Sequence, residues 1–406
     1  MLHHLTNELP ANSLLISAST SPSTMSHDVH YPYHPCRDFW YLCKLASHPA
    51  TIAYENFNGR WHSHLFLPKQ DPKRLLWEGD YLYKGHPDAY DYADHVHDLS
   101  ELEHWLSQHK PHHVYLSKDD KTLSEHFKYH PNTHHITTLL RQKRLHKQAN
   151  EIHALQKACQ LTAECHNTLM STVKPWMNEG ELEGHFILAG HKRGLKQQAY
   201  PPIIAGGNRA CTLHYNNNQQ QLQDGDLVLV DAGWIAEGYC ADITRTFPVN
   251  GHFTSAQLDI YNLVLAAQTS TIALLKPGVN WQILNNKSNE VLAKGLHDLG
   301  FFKTLDESTA KIKQYFPHGV GHWLGLDVHD PCPYKDSQDA PITFERGMTL
   351  TIEPGLYFPL NSQAPDAFKG IGIRIEDDCL ITDKGHEVMT QAAVKDPQAI
   401  MDLMQQ

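Results

Sequence analysis

The spacing of apolar and polar positions changes near residue 145 of the 406-residue chain. Before that point short apolar runs alternate with polar loops. Residues 13–18 (SLLISA), 51–54 (TIAY), 61–68 (WHSHLFLP) and 113–117 (HVYLS) read as strands bounded by Pro, Asn and Gly. In the third run Trp61, Leu65 and Leu67 share a face at period two, with Ser63 the polar exception. Residues 98–109 set Leu99, Leu102 and Leu106 at helical spacing behind an acidic first turn. Strand, helix, strand order implies an α/β domain. No phosphate-cradling glycine loop and no catalytic constellation falls within it.

Beyond it the period lengthens. Ile152, Leu155, Cys159, Thr162, Cys165 and Leu169 recur near 3.6 residues and stop before Pro175. A second helix starts at Asn178, with Glu181 placed for a capping box and Leu182, Phe186 and Ala189 facing inward. Residues 212–216 (TLHYN) read as a short extended piece carrying His214. Thr254 and Gln257 open another helix, stopped by Pro277 and Gly278, and residues 281–300 form one more, ended by a glycine. The basic run at 141–147 (RQKRLHK) reads as a solvated face at the domain connection.

Two stretches repeat one pattern. DGDLVLVDAG, residues 224–233, and ERGMTLTIEPG, residues 345–355, each run six residues from glycine (Gly225, Gly347) to an acid (Asp231, Glu353). A second acidic strand follows each, residues 241–244 with Asp242 and 372–376 with Glu376. Two helices precede each half. The pattern predicts two half-domains about a pseudo-twofold.

Composition narrows the function classes. Apolar residues at 41% make a globular chain, and a net charge of −11 without a long basic run argues against nucleic acid. No apolar run approaches about 18 residues, so no membrane span is expected. The first residues lack the basic start and apolar core of a signal peptide. Eight scattered cysteines without a CxxC read as reduced thiols, and together these features predict a cytoplasmic protein. The 31 histidines mostly sit in polar surroundings, His3, His4, His112, His113, His134 and His135 among them, and read as surface. The exception is PHGVGHWLGLDVHD, residues 317–330, with His318, His322 and His329.

An acid at the end of a buried strand is costly unless paired or bound to metal. Arg245 and Arg374 are available partners for Asp231, Asp242, Glu353 and Glu376. Alternatively the pseudo-twofold brings the four carboxylates together. With one imidazole they could hold two divalent metals. A set rich in oxygen, with one nitrogen and no thiolate, suits Mn²⁺, and also Fe²⁺, Co²⁺ or Zn²⁺. A close metal pair turns a bridging water into hydroxide and polarises the carbonyl it attacks, which suits amide hydrolysis. Nearby free histidines would steady the oxyanion or move protons.

The motifs DAG (Asp231), DITRTFP (Asp242), HGVGHWLGLDVHD (His322), TIEPGLY (Glu353) and GIRIEDD (Glu376) resemble those of the pita-bread metallopeptidases. Among them the chain most resembles the aminopeptidase P, or Xaa-Pro aminopeptidase, family over nearly its whole length. YPYHPCRDFWYL, residues 31–42, is similar to a segment of that family's non-catalytic domain. The resemblance implies an α/β non-catalytic domain over residues 1–145 and an α+β pita-bread catalytic domain over 146–406. It implies Asp231, Asp242, His322, Glu353 and Glu376 as ligands of two divalent ions, most simply Mn²⁺, with Asp242 and Glu376 bridging. Glu353 would also take a proton from the attacking water. His329 would bind at the scissile bond, His214 and His318 would line the proline pocket, and Arg374 and Tyr357 would form the far wall. Substrates would be peptides with proline second, and the protein a dimer or tetramer.

The 23 residues from Glu353 to Glu376 favour aminopeptidase P over prolidase, which performs the same chemistry on dipeptides. A metal-free binding module is the rival of another class, and the full ligand set argues against it. Two departures stand out: DPCPY at 330–334, where the family more often has small residues, and the uncharged Asn/Gln loop at 216–223.

Overall fold

A computed structural model describes residues 8–117 and 121–405 of the chain, so His3 and His4 lie outside the described residues. Two compact units divide at Lys143 and Arg144.

In the first unit the alternating runs build one mixed sheet. Its strands are β1 (Ser13–Ala18), β2 (Thr51–Phe57), β3 (Arg60–Leu67), β4 (His95–Asp98), β5 (His113–Leu116) and β6 (Thr133–His135), in the order β4-β3-β2-β1-β5-β6. The β2–β3 hairpin turns on Asn58 and Gly59, both at positive φ, as its tight turn requires. Leu14, Ile16, Ala53, Phe66, Val114 and Leu116 put alternate side chains into one core. Leu65 and Leu67 are buried as expected, while Trp61, beside the hairpin, is half-buried.

Histidines also follow this alternation. In register, His64 on β3 pairs with His95 on β4. The His64 ring stacks on His95 at 4.8 Å and on His97 at 5.3 Å, and its Nδ1 shares a 3.0 Å hydrogen bond with His97 Nε2. Trp105 and His109, from the region of helix Leu102–Gln108, cover the face, with Glu55 3.4 Å from His109. This group is therefore partly buried, not the solvated scatter expected of the chain's histidines.

The second unit carries the repeat. Helices α1 (Ala149–Thr172) and α2 (Glu179–Lys192) precede β7 (Ile203–Gly206), β8 (Leu227–Asp231) and β9 (Thr244–Pro248). Helices α3 (Ser255–Ile272) and α4 (Trp281–Asp298) precede β10 (Thr349–Ile352), β11 (Gly355–Tyr357), β12 (Gly372–Arg374), β13 (Asp377–Ile381) and β14 (His386–Val388). Gly225 and Gly347, at φ 84° and 86°, turn the chain into β8 and β10. Antiparallel partners are β9 for β8 and β13 for β10. Thr254 opens α3 as expected, and with Gln257 it forms a capping box. Asn178 instead caps α2 by accepting from Gly180 N at 2.8 Å.

The halves are stitched by their loops and side chains. Glu376 N donates to Thr244 O at 3.1 Å, and Thr246 Oγ1 donates to Arg374 O at 3.0 Å. The wholly buried Arg245 donates to Asp377 Oδ1 at 2.6 Å and to Glu376 O at 2.5 Å. Two local expectations are corrected. Asp242 and Glu376 stand just outside the strand ladders. The run at 141–147 is not a solvated face, because Arg144 and Lys147 are buried on the carboxylates of Asp327 and Asp330.

The histidine face predicts an acid response. Burial first, then the charges of His95, His97, His109 and His62, push His64 down to about 3. An unfolded chain takes up that proton near pH 6.5, so stability from neutral His64 is present above that value. It is lost as pH falls from about 6.5 towards about 3. Lowering the pH from about 7.5 to about 5 should raise intrinsic-rate-corrected amide exchange in β3 and β4, and His64→Leu should blunt the rise. Equal increases in both proteins would contradict this.

Candidate metal centre

The carboxylates of the repeat converge. Asp231 ends β8, Asp242 precedes β9, Glu353 follows β10, and Glu376 separates β12 from β13. Donor atoms of Asp242, His322 and Glu376 all lie within 4.8 Å of one another. His322 Nε2 is 3.4 Å from Asp242 Oδ2 and 3.5 Å from Glu353 Oε1. Two donors about 2.1 Å from a tetrahedral ion lie about 3.4 Å apart, so this spacing fits atoms that share a cation.

Local structure aims each donor. His322 Nδ1 meets Trp323 O at 3.0 Å, which leaves Nε2 facing the carboxylates. The histidine stretch lies against β10 through Thr351 N donating to His322 O at 2.9 Å. Gly321 permits that approach, since a Cβ there would fall 2.0 Å from Thr351 O. Thr244 Oγ1 donates to Glu376 Oε2 at 2.7 Å. Arg374 donates to Asp231 Oδ2 at 2.5 Å, to Thr244 Oγ1 at 3.1 Å and to the Tyr357 hydroxyl at 2.9 Å. Arginine pairing therefore reaches only Asp231 of the four carboxylates, because Arg245 is taken by Asp377.

Tyr200 had no signal in the motifs. Its hydroxyl donates to Asp231 Oδ1 at 2.7 Å and also reaches Asp242 Oδ1. The sequence marks it only by the following Pro201 and Pro202, which favour an extended backbone.

Electrostatics make the group hungry for positive charge. Burial raises the carboxyls of Asp231, Glu353 and Glu376, and neighbouring carboxylates add to it, with Glu353 pushed to about 7. Burial also works against the charged forms of Asp242 and His322, but their mutual attraction wins. Asp242 is held low and His322 is raised to about 9. The raised carboxyls and His322 thus hold protons that relieve the crowded negative charge. A divalent cation relieves the same repulsion more fully, so the donor set fits a metal.

Above the carboxylates lies a cavity of about 660 Å³. His214, His318 and His329 line it with Ile203, Leu213 and Val328. His214 sits in a turn after the short helix Gly207–Cys211, not on the extended piece expected. Burial, aided by the Arg374 charge, pushes His318 down to about 3. A neutral His318 can donate through Nδ1 to Gly319 O at 2.8 Å and accept at Nε2 from the Tyr357 hydroxyl at 2.8 Å. Tyr357 consequently does not line this cavity. It is buried, and its hydroxyl is occupied by His318 and Arg374, so it backs the wall. Burial and the His322 charge lower His329, whose ring meets that of His322 edge-on at 4.3 Å between centroids.

Both departures bear on the cavity. Tyr334 of DPCPY lines it and packs its ring on Trp281 and Trp323, each at 5.7 Å. In the Asn/Gln loop, Asn216 lines the cavity, whereas Asn218 turns inward and donates to Pro202 O and Glu183 Oε2 at 2.9 Å.

Comparison with known proteins agrees with this geometry. Residues 153–383 match the model of metallopeptidase family M24, and residues 2–115 that of the aminopeptidase P N-terminal domain. An Xaa-Pro aminopeptidase of Haemophilus influenzae is 36% identical over 98% of this chain and 94% of its own. Human Xaa-Pro aminopeptidase 3 is 34% identical over 94% of this chain and 79% of its own. The solved structure of Escherichia coli aminopeptidase P with the inhibitor Pro-Leu superposes with a TM-score of 0.93 at 33% identity, covering 99% of this chain and 96% of that one.

Arg374 generates a test. Arg374→Met frees Asp231 and Thr244 and should weaken binding of Mn²⁺ to the metal-stripped protein by about tenfold to a hundredfold, read by calorimetry. Unchanged affinity would show that the guanidinium does not orient the donors.

Proposed function

The chain belongs to metallopeptidase family M24 as an aminopeptidase acting on the N-terminal Xaa-Pro bond of peptides, and we propose how its residues perform that hydrolysis. Asp231, Asp242, His322, Glu353 and Glu376 would hold two divalent ions. The oxygen-rich set with a single imidazole supports manganese. Bound there, the ions would polarise the scissile carbonyl and acidify the attacking water. The observation that carries the reading is the meeting of four carboxylates, two buried and two partly buried, two from each half, with His322 against three of them and Tyr200 joining Asp231 to Asp242, along an imidazole-walled cavity.

The chain's own groups supply the rest. Glu353 takes the proton of the attacking water. His329 reaches over the site and steadies negative charge as it develops on the carbonyl oxygen. An Xaa-Pro bond has no N–H, because the ring removes it and fixes φ. A pocket for that ring must work by shape and apolar contact. His214 and His318, beside Ile203, Leu213 and Val328, provide such a surface. Arg374 orients Asp231 and the Tyr357–His318 pair on the far side.

The substrates would be peptides with proline at the second position. Eight free cysteines support a reducing, cytoplasmic setting. No helix among the described residues is long and apolar enough to cross a membrane. Assembly as a dimer or tetramer rests on the resemblance alone.

Two measurements test this reading. Xaa-Pro-Yaa peptides should be cleaved with a higher kcat/KM than Xaa-Pro dipeptides in the presence of Mn²⁺, and a strong preference for dipeptides would sink it. His329→Ala should lower kcat by about a hundredfold to a thousandfold with metal content intact. Near-normal turnover in that variant would refute the role given to His329.

A further inference from the structure

His329 makes no side-chain hydrogen bond to any other described residue, and its ring leans edge-on against His322. Its placement therefore depends on the backbone that carries it. That backbone is anchored one residue later. Asp330 is buried, and its two carboxylate oxygens face two cations. Arg144 donates to Oδ1 at 2.5 Å and Lys147 to Oδ2 at 3.3 Å. Arg144 also pairs with Asp327, so two cations meet two carboxylates.

The loop is shaped around this anchor. Asp330 N donates to Trp323 O at 2.9 Å, which closes the loop between His322 and His329. A Cβ on Gly325 would fall 2.0 Å from Asp330 Oδ2 and 3.2 Å from Lys147 Cε, so glycine makes the room the pair occupies. Lys147 is itself fixed, its N–H donating to Gly347 O at 2.9 Å at the turn into β10. The anchor thus ties the His329 loop to the strand that ends beside Glu353.

The geometry points to Arg144 and Lys147 as positioning residues for His329, acting through Asp330. The inference rests on the catalytic role proposed above for His329. A shift of about 1 Å in a group that stabilises developing charge costs as much as about a hundredfold in rate, and a looser loop costs less.

A double-mutant cycle separates positioning from general support of the fold. Wild type, Lys147→Met, His329→Ala and the double variant are compared as Mn²⁺-loaded full-length proteins on one Xaa-Pro-Yaa peptide. Lys147→Met should lower kcat about tenfold, with KM and metal content close to wild type. In the His329→Ala background the same substitution should change kcat less than about twofold. An equal factor in both backgrounds, or wild-type kcat in Lys147→Met, overturns the inference. Wild-type kcat in His329→Ala overturns the role of His329 instead. If Lys147→Met does not fold, Lys147→Arg, which keeps the charge but moves it, enters the same cycle under the same criteria.

Discussion

Four carboxylates held beside one another, Asp242 and Glu376 buried and Asp231 and Glu353 partly buried, repel. The second unit is organised around tolerating that repulsion. Strand ends and loops from two half-domains bring the acids together, and only Asp231 receives an arginine. Arg245, equally buried, is held on Asp377 and on main-chain carbonyls, where it joins the halves without quenching the site. The residual negative charge is what a pair of divalent cations would answer. Tyr200, Thr244 and Thr351 hold the donors with neutral hydroxyls, which orient them without competing for that charge.

The histidines divide by their surroundings. His322 lies among carboxylates, which favour its binding a cation or a proton. His318 lines the cavity beside Arg374, with Tyr357 behind it, where a second positive charge is costly. His329 stands at the cavity edge on a loop held by an ionic anchor. One short sequence therefore supplies three imidazoles with different chemistry, and burial and neighbouring charge make the difference.

Much of this was legible because it is local. A glycine turn, a buried run and an acid at its end lie within ten residues, so the duplication and the carboxylates could be read directly. Helix periods and the Thr254 cap were local too. What could not be read depends on partners distant in sequence. Tyr200 acts through acids 31 and 42 residues away. Arg144 and Lys147 looked like a solvated run because their partners lie more than 180 residues later. Tyr357 was expected on the cavity wall, whereas its hydroxyl meets His318 and Arg374 behind the lining. The histidine face of the first unit shows the same limit: the helix over residues 98–109 was read, but not that its Trp105 covers His64 or that the strand carrying His95 lies alongside.

The central claim is that acids from both halves hold two ions as one pair, and electron paramagnetic resonance of the Mn²⁺-loaded protein addresses it most directly. The account predicts about two manganese per chain with the spectrum of an exchange-coupled pair, as expected for ions about 3.5–4 Å apart. A single ion per chain, or two ions with uncoupled mononuclear spectra, would contradict it.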